Sequence, residues 1–232
     1  MALYALGDLH LSVQVDKPMA VFGPEWKDHE KKIEKYCRKK IGPEDTLVLT
    51  GDHSWGKKLS TCEKDLAFIE SLPGRKILLR GNHDMFWDPK KTERLNEQFE
   101  GRLYFLQNNF YSYHDYALVG TKGYCYEGKD SYEHFLMIRE RETERLEVSL
   151  EAAKNAGYRK FIIFLHFPPT SIGEPDSPFT RLAEKYHAEQ LIYSHSHGRA
   201  RFDDSIKGMY NGVLYRLVSG DYLGFRPEKL LE

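Results

Sequence analysis

Five short apolar runs in this sequence each end in Asp, Asn or His, side chains that can bind a metal ion or transfer a proton. The five groups are Gly7-Asp8-Leu9-His10, Gly51-Asp52-His53, Gly81-Asn82-His83-Asp84, His166 and Ser194-His195-Ser196-His197. Each group alone is weak evidence, because Gly-Asp after a strand is usually a turn and a lone histidine is usually a packed or surface residue. Five such groups in one chain instead favour a common site.

The hydrophobic pattern predicts the elements that must position these groups. Runs rich in apolar, β-branched or aromatic residues predict strands at residues 3–6, 46–50, 76–79, 104–106, 117–119, 161–165, 190–193 and 213–218. Segments with helical periodicity lie between them, at residues 26–40, 61–71, 91–99, 132–156 and 180–188. This alternation predicts an α/β domain in which helices cover largely parallel strands. Asn211-Gly212 predicts a hairpin or a pair of late strands near the end of the chain.

The carboxyl ends of the strands are where ligands bind in an open α/β sheet, because loops meet there above a rigid scaffold. The five polar groups therefore predict one site at this edge. Gly7, Gly51 and Gly81 each precede a candidate ligand. We expect these glycines to allow sharp turns and a close approach of the backbone.

The residue types indicate which ions such a site would hold. Carboxylate, imidazole and amide oxygen ligands suit Mn, Fe or Zn rather than Ca. Seven candidate ligands are too many for one tetrahedral ion. Two divalent ions roughly 3.5–4 Å apart that share a carboxylate would use them all, and such centres recur in phosphate ester hydrolysis.

Composition narrows the class of protein. The 232 residues include 34 basic and 35 acidic ones, for a net charge of -1, so the broad positive field of a duplex-binding protein is absent and nucleic acid is disfavoured as a partner. The three cysteines are too few and too far apart for a disulfide framework, which favours reduced thiols. Neither a signal peptide nor an apolar run of membrane-spanning length is evident. We expect one domain over residues 1–232, a soluble cytoplasmic location, no membrane association and no obligate protein partner.

The order of the five groups resembles the motifs of the calcineurin-like metallophosphoesterase superfamily. The resemblance extends from residue 7 to residue 197, most of the chain. It implies a four-layer α/β/β/α sandwich, in which two mixed sheets are flanked by helices and a dinuclear metal centre lies at the strand ends. It also implies a metal-dependent phosphoesterase that hydrolyses a small phosphomonoester or phosphodiester with a hydroxide that bridges the two metals.

The same resemblance assigns roles to individual residues. It implies that one metal is held by Asp8, His10, Asp52 and His197, and that the other is held by Asp52, Asn82, His166 and His195. Asp52 would bridge the two. His83 would not be a ligand but would face the substrate phosphate and assist the leaving group, and Asp84 would orient His83.

Two departures from the family pattern matter. Gly51-Asp52 lacks the later Asp and the Arg-Gly pair of the protein phosphatase branch, so activity on Ser/Thr phosphoproteins is not favoured. Ser194 replaces the usual Gly before His195, which is acceptable if its backbone angles are ordinary. The stretches TGDHSW and GNHDMFW are similar to those of bacterial predicted phosphohydrolases of unassigned substrate.

Four further residues have open roles. His53 and Trp55 either pack inside the loop and the core or line the substrate pocket, where a ring could stack on a base or an aromatic leaving group. Arg139 and Arg141 lie in a helix of alternating charge, which usually indicates a solvated face. The alternative is that one of these arginines reaches a substrate phosphate.

Two other functions remain possible from the residues. The first is a metal-binding interaction scaffold that keeps the fold without catalysis, and the second is a nuclease. A scaffold has no need for a histidine that is not a ligand, so the presence of His83 and Asp84 favours the enzyme. The balanced charge argues mildly against the nuclease.

Overall fold

Two β-sheets form the centre of the molecule in the computed structural model, which describes all 232 residues. The first sheet contains β1 (Leu3–Leu6), β2 (Thr46–Leu49), β3 (Arg75–Leu79), β4 (Leu103–Leu106) and β11 (Glu228–Leu231). The second contains β5 (Phe110–Tyr113), β6 (Tyr116–Thr121), β7 (Lys160–Leu165), β8 (Gln190–Tyr193), β9 (Gly208–Tyr210) and β10 (Val213–Leu217). The helices are α1 (His29–Lys40), α2 (Glu63–Ser71), α3 (Thr92–Gln98), α4 (Tyr132–Asn155), α5 (Pro178–Lys185) and α6 (Arg199–Asp204). Short 3-10 turns occupy Met19–Phe22, Pro24–Trp26, Leu59–Thr61 and Pro89–Lys91.

The strands that precede the polar groups are parallel within each sheet. The first sheet has the order β11-β1-β2-β3-β4, in which only β11 is antiparallel to its neighbour. The second has the order β5-β6-β7-β8-β10-β9, in which the edge strands β5 and β9 are antiparallel. Because parallel strands end at the same edge, the loops after β1, β2, β3, β7 and β8 can converge.

The helices and sheets form four layers, and a group of buried apolar side chains lies at each of the three contacts between them. Between the sheets, Ala5 and Val48 of the first sheet share a core with Ile162 and Phe164 of the second. The outer face of the first sheet packs on α1, α2 and α3, and that of the second packs on α4 and α5. Most central strands are buried on both faces, which explains their continuous apolar runs. The predicted α/β/β/α sandwich is confirmed.

All eight predicted strands are present, but β5, β11 and α6 were not predicted. Strand β11 was missed because it is an edge strand with charged residues, and its sequence EKLL has no strong strand signal. The predicted hairpin is confirmed, with Asn211-Gly212 between β9 and β10. Helix α1 begins at His29 rather than at residue 26, because Asp28 has a left-handed φ of 52° and separates the helix from the preceding 3-10 turn. None of the helices combines the length and the apolar composition needed to cross a lipid bilayer.

Candidate metal centre

The loops after β1 and β2 run side by side and bring the first candidate ligands together. The backbone N–H of Asp8 donates to the carbonyl of Gly51 (3.0 Å), and that of His10 donates to the carbonyl of Asp52 (2.8 Å). Asp8, His10 and Asp52 all have left-handed backbone angles, with φ of 57°, 44° and 54°. Non-glycine residues rarely adopt such angles, and they cluster at functional sites. The backbone therefore holds these three side chains in one specific arrangement.

Glycines allow three loops to approach one another. A Cβ atom at Gly81 would lie 2.1 Å from Oδ1 of Asp52, which is far too close for any side chain. The backbone N–H of His83 donates to the same oxygen at 2.8 Å. Gly51 has a φ of 105°, and a Cβ atom there would lie 2.6 Å from Nδ1 of His166. The predicted close approach is confirmed at both glycines. Ser194, the departure from the family pattern, is absent from the residues with positive φ.

Asp84 contacts the backbone rather than the ring of His83. Its carboxylate accepts hydrogen bonds from the N–H groups of Gly81 (2.7 Å), Asp52 (2.9 Å) and His53 (2.8 Å). The expectation that Asp84 orients the His83 ring is therefore corrected. Asp84 is fully buried between the loops after β2 and β3, so it joins these loops and positions His83 only through the backbone.

One oxygen atom, Oδ2 of Asp52, lies where the candidate ligands converge. It is 3.6 Å from Nε2 of His10 and 3.5 Å from Nε2 of His166. It is also 4.0 Å from Nε2 of His83. A carboxylate oxygen between two imidazole nitrogens is the arrangement expected of a shared ligand.

Two groups of candidate ligands meet at Asp52. Within each group the ligand atoms lie within 4.8 Å of one another, and the groups are Asp8, His10 and His197, and Asp52, His166 and His195. Asn82 adjoins the second group, since its Oδ1 is 2.8 Å from Nε2 of His166. The structure thus brings all seven predicted ligands together, in the two sets that the resemblance implies. Their role as ligands stays a prediction.

The histidine rings are anchored so that one nitrogen of each faces the centre. Nδ1 of His166 is 2.9 Å from the carbonyl oxygen of Thr50. Nε2 of His195 is 3.2 Å from a carboxylate oxygen of Glu127, and Nδ1 of His197 is 3.0 Å from one of Asp221. Metal-binding histidines characteristically donate their other N–H to such oxygens, which fixes the tautomer and the ring orientation.

An unpaired buried oxygen supports the fit of a cation to the centre. Oδ1 of Asp8, which belongs to the first group of candidate ligands, is buried without a hydrogen-bond partner. Buried polar atoms are usually paired, and a bound cation would satisfy this oxygen. The donor set of carboxylates, imidazoles and an amide oxygen suits Mn, Fe or Zn. The residues present therefore fit divalent ions of this class.

The two anchored histidines differ in their protonation. Burial lowers the pKa of His197, but the carboxylates of Asp8 and Asp221 outweigh it and raise the pKa to about 9. Burial lowers the pKa of His195 to about 4, although its hydrogen bond to Glu127 opposes the shift. Burial also raises the pKa of Asp8 to about 6, with His197 opposing. The His197 side therefore carries a proton near neutral pH when no cation is bound, whereas His195 is already neutral.

His83 is the most exposed histidine of the centre, followed by His197 at 34%. Its side chain is 40% exposed, whereas those of His166 and Asp52 are almost completely buried. Its ring lies 4.3 Å from the ring of Trp55 between centroids. Burial lowers the pKa of His83, with Asp52 opposing the shift. An exposed imidazole beside Asp52 can reach a bound substrate, as the resemblance implies.

His53 and Trp55 have different surroundings, although both follow Asp52. His53 is fully buried, and its Nε2 is 2.9 Å from the carbonyl oxygen of Leu79, so it packs inside the loop and does not line a pocket. Trp55 stacks on His10, with ring centroids 5.0 Å apart and an interplanar angle of 22°. The pocket hypothesis is therefore wrong for His53 and agrees with the position of Trp55.

Two cavities open on the centre, and both are lined by His83, His195 and His197. The aromatic cavity, of about 290 Å³, is also lined by His10, Met19, Phe22, Glu25, Trp26, Trp55, Gly198 and Asp221. The charged cleft, of about 580 Å³, is also lined by Asn82, Lys122, Tyr124, Glu127, Lys129, Asp130, Ile138, Phe167 and Arg201.

Arg139 and Arg141 line neither cavity. The guanidinium of Arg139 lies over the ring of Phe135 at 4.6 Å and pairs with Glu174 at 3.5 Å. Arg141 is half exposed and pairs with Glu142 at 3.4 Å. The interpretation of this helix as a surface held by local ion pairs agrees with these contacts, whereas a direct phosphate contact does not.

Several residues of the site belong to segments without a sequence motif and were not predicted. Glu127 and Asp221 anchor two candidate ligands, and Trp26 and Lys122 line the two cavities. Only Lys122 had a detectable signal, since it directly follows strand β6 as the candidate ligands follow their strands.

The comparisons with known proteins agree with this geometry. The sequence profile of a family described as "Calcineurin-like phosphoesterase" matches residues 1–199. The chain belongs to this family. The predicted family is thereby confirmed, and every candidate ligand and His83 lie within the matched region. A comparison with functionally curated proteins finds no match.

Solved structures share the fold over almost the whole chain. Phosphopantetheinyl hydrolase (PptH) from Mycobacterium tuberculosis is 14% identical, with a TM-score of 0.62 and coverage of 99% of this chain and 95% of that one. The protein TT1561 of Thermus thermophilus is 11% identical, with a TM-score of 0.57 and coverage of 99% and 97%. The protein of unknown function AQ665 from Aquifex aeolicus is 20% identical, with a TM-score of 0.52 and coverage of 98% and 95%. At these identities the likeness shows the fold alone.

Proposed function

We propose that the protein is a metal-dependent phosphoesterase with two divalent ions, which hydrolyses a small phosphomonoester or phosphodiester. The observation that carries this proposal is the position of Asp52, whose Oδ2 lies between His10 and His166 with the accessible His83 alongside. Family membership supports the same reaction class.

The residues fit two ions of the Mn, Fe or Zn class. Asp8, His10 and His197 would hold one, and Asn82, His166 and His195 the other, with Asp52 shared. When bound, such ions lower the pKa of a water molecule and offset the charge on the phosphoryl oxygens.

The other residues would position the substrate and move a proton. Nε2 of His83 lies on the open side of Asp52, where it can donate a proton to the leaving oxygen of a bound ester. Asp84 would maintain this position by joining the backbone of the two loops. Glu127 and Asp221 would hold His195 and His197 with the correct nitrogen inward.

The surroundings of the centre support a small substrate. The two cavities are of the size that holds metabolite-sized ligands. Balanced charge supports a substrate other than nucleic acid, and no obligate protein partner is part of the proposal. The three cysteines are free and buried, which supports a reducing compartment such as the cytoplasm.

Reconstitution with Mn²⁺ tests the proposal directly. Elemental analysis should find about two ions per chain, and the loaded protein should hydrolyse 4-nitrophenyl phosphate or bis(4-nitrophenyl) phosphate. Replacement of the shared ligand, Asp52→Asn, should reduce both metal content and turnover. A loaded protein that binds two ions but is inert on both esters would instead support the non-catalytic scaffold.

A further inference from the structure

Lys122 is a buried cation without a partner. It directly follows β6, at the strand edge where the candidate ligands lie, and only 9% of its surface is exposed. Its ammonium group makes no hydrogen bond and no ion pair. A buried charge without a partner is costly, so such groups are normally paired or bind a ligand.

The other strongly buried lysine shows the contrast. Lys76 is also 9% exposed, but it lies in β3 away from both cavities, and its ammonium donates to the carbonyl oxygen of Leu72 at 2.8 Å. Two lysines with the same exposure thus differ in whether the protein satisfies the charge. Lys122 is the one that lines the charged cleft.

Aromatic rings hold the Lys122 ammonium in place. It lies 5.0 Å from the ring centroid of Tyr124 and 5.2 Å from that of Phe167, within the range of cation–π attraction. Both rings also line the charged cleft, which reaches to Asn82 and His83. These contacts leave the N–H donors of the ammonium free, because a ring face accepts charge but offers no carboxylate.

Glu142, the buried carboxylate whose charge acts most strongly on Lys122, is already engaged by other groups. Glu142 accepts hydrogen bonds from Oγ1 of Thr121 at 2.7 Å and from Arg145 at 2.6 Å, and it also pairs with Arg141 at 3.4 Å. Burial lowers the pKa of Lys122 to about 8, with Glu142 opposing and the nearby Arg80 adding to the shift. Glu142 is therefore not available to pair with Lys122, and an anion in the cleft would satisfy the unpaired ammonium.

We propose that Lys122 binds a second anionic group of the substrate, so that the substrate class is a small phosphate ester that carries a further phosphate or carboxylate. The inference rests on the proposed function, because it places the scissile phosphate at the metal centre. Asn82 and His83 at one end of the cleft and Lys122 in its wall would then hold two anionic groups of one molecule.

Calorimetric titration of the Mn-loaded protein with matched ligands tests this. Methylphosphonate carries one anionic group, phosphonoacetate adds a carboxylate, and methylenediphosphonate adds a second phosphonate. The wild type should bind at least one of the two-anion ligands more tightly than methylphosphonate, by about 10-fold or more, since a hydrogen bond to a charged group contributes about 1.5–3 kcal/mol. Which of the two it prefers identifies the second group.

Substitutions test whether this preference for two-anion ligands depends on Lys122. Lys122→Met should reduce it to less than about 3-fold, and Lys122→Arg should retain part of it. The matched control Lys76→Met should keep the wild-type preference. Chelation of the metals by the ligands affects all variants equally, so it does not change the comparison between them. Thermal unfolding and metal content check that each variant is folded, and Lys122→Gln replaces the Met variant if that one does not fold.

Two outcomes would overturn the inference: no preference in the wild type, or a preference that survives in Lys122→Met, either with unchanged affinities or with equal weakening of all three ligands. The last would mean that Lys122 binds the scissile phosphate itself. The titration needs no turnover, so it is separable from the proposed function. The wild type could be inert on nitrophenyl esters while Lys122→Met loses the preference. That result would reject the enzyme but support the anion site.

Discussion

The two cavities that meet at the metal centre are built in different ways. Part of the wall of the aromatic cavity belongs to the core: Trp26 is 4% exposed and packs edge-on against Phe225, with ring centroids 5.1 Å apart. The charged cleft depends on polar contacts of a loop residue, Glu127, which is 3.2 Å from His195 and 3.4 Å from Arg201. Packed side chains resist deformation, whereas ion pairs at a partly exposed site respond to salt and to ligands. The aromatic side therefore has its shape before a ligand arrives, and the charged side is the one that ligands can reorganise.

The largest expected effect is at His83, one of the three histidines that line both cavities. His83→Ala should reduce kcat by about 10²–10⁴-fold for every ester, because general acid catalysis typically contributes that much. Metal content should not change, since His83 is not among the candidate ligands. Steady-state kinetics and elemental analysis measure the two quantities. Loss of the metals in this variant would contradict the ligand assignment, and loss of activity on only one class of ester would assign His83 to one cavity.

The second largest effect is on metal binding, and it should differ between the ion held by His195 and the ion held by His197. Glu127→Ala should weaken metal binding by about 10–100-fold through His195, and Asp221→Ala should do so through His197, as is usual for partners of ligand histidines. Because the two histidines belong to different ligand groups, each variant should lower the occupancy of a different ion. Competition titrations with a metallochromic indicator measure this. Glu127→Gln keeps an acceptor oxygen and should recover part of the affinity, and equal loss of both ions in both variants would contradict independent sides.

The pH dependence should also differ between the sides. A ligand histidine must be neutral, so at pH 7.5 metal binding should release about one proton from His197, whose pKa is about 9, and none from His195, whose pKa is about 4. Affinity should rise by about tenfold per pH unit for each proton released, up to about pH 9. Calorimetry in buffers of different ionisation enthalpy counts the protons. Asp221→Asn should reduce the count and Glu127→Gln should not; the reverse pattern would contradict the predicted protonation.

Metal affinity should rise with pH, but the stability of the metal-free protein should fall as His197 loses its proton. The pKa of His197 is raised above its ordinary value of 6.5, so its contribution to stability is fully present below pH 6.5 and is lost as the pH rises through about 9. Addition of metal should therefore stabilise the protein most at the alkaline end of this range.

The smallest effect concerns the aromatic side alone. Trp55→Leu keeps an apolar wall but removes the ring face that borders the cavity. The preference in kcat/KM for 1-naphthyl phosphate over methyl phosphate should fall by roughly 2- to 10-fold, because aromatic pairs contribute about 0.5–1.5 kcal/mol. An equal fall for both esters would mean that Trp55 acts only by supporting His10 and His83.

Residues at strand ends were predictable because parallel strands share an edge. Once residues such as Asp8 and Asn82 are seen to follow strands of one sheet, their convergence needs only the parallel order of those strands. The contacts of Asp84 were not predictable in this way. Its neighbour His83 suggested a side-chain partner, but the choice of backbone N–H groups depends on how closely the loops after β2 and β3 approach.

The sequence alone determined the family, the layered α/β fold and the seven candidate ligands. Motif spacing and hydrophobic periodicity are visible in residues that lie close together in the chain. Only the tertiary structure decided that Glu127 and Asp221 anchor the ligand histidines, that Trp26 borders one cavity, and that Lys122 lacks a partner. Those contacts join residues far apart in the chain. The surroundings of a side chain, and whether its charge is satisfied, exist only after the loops have packed together.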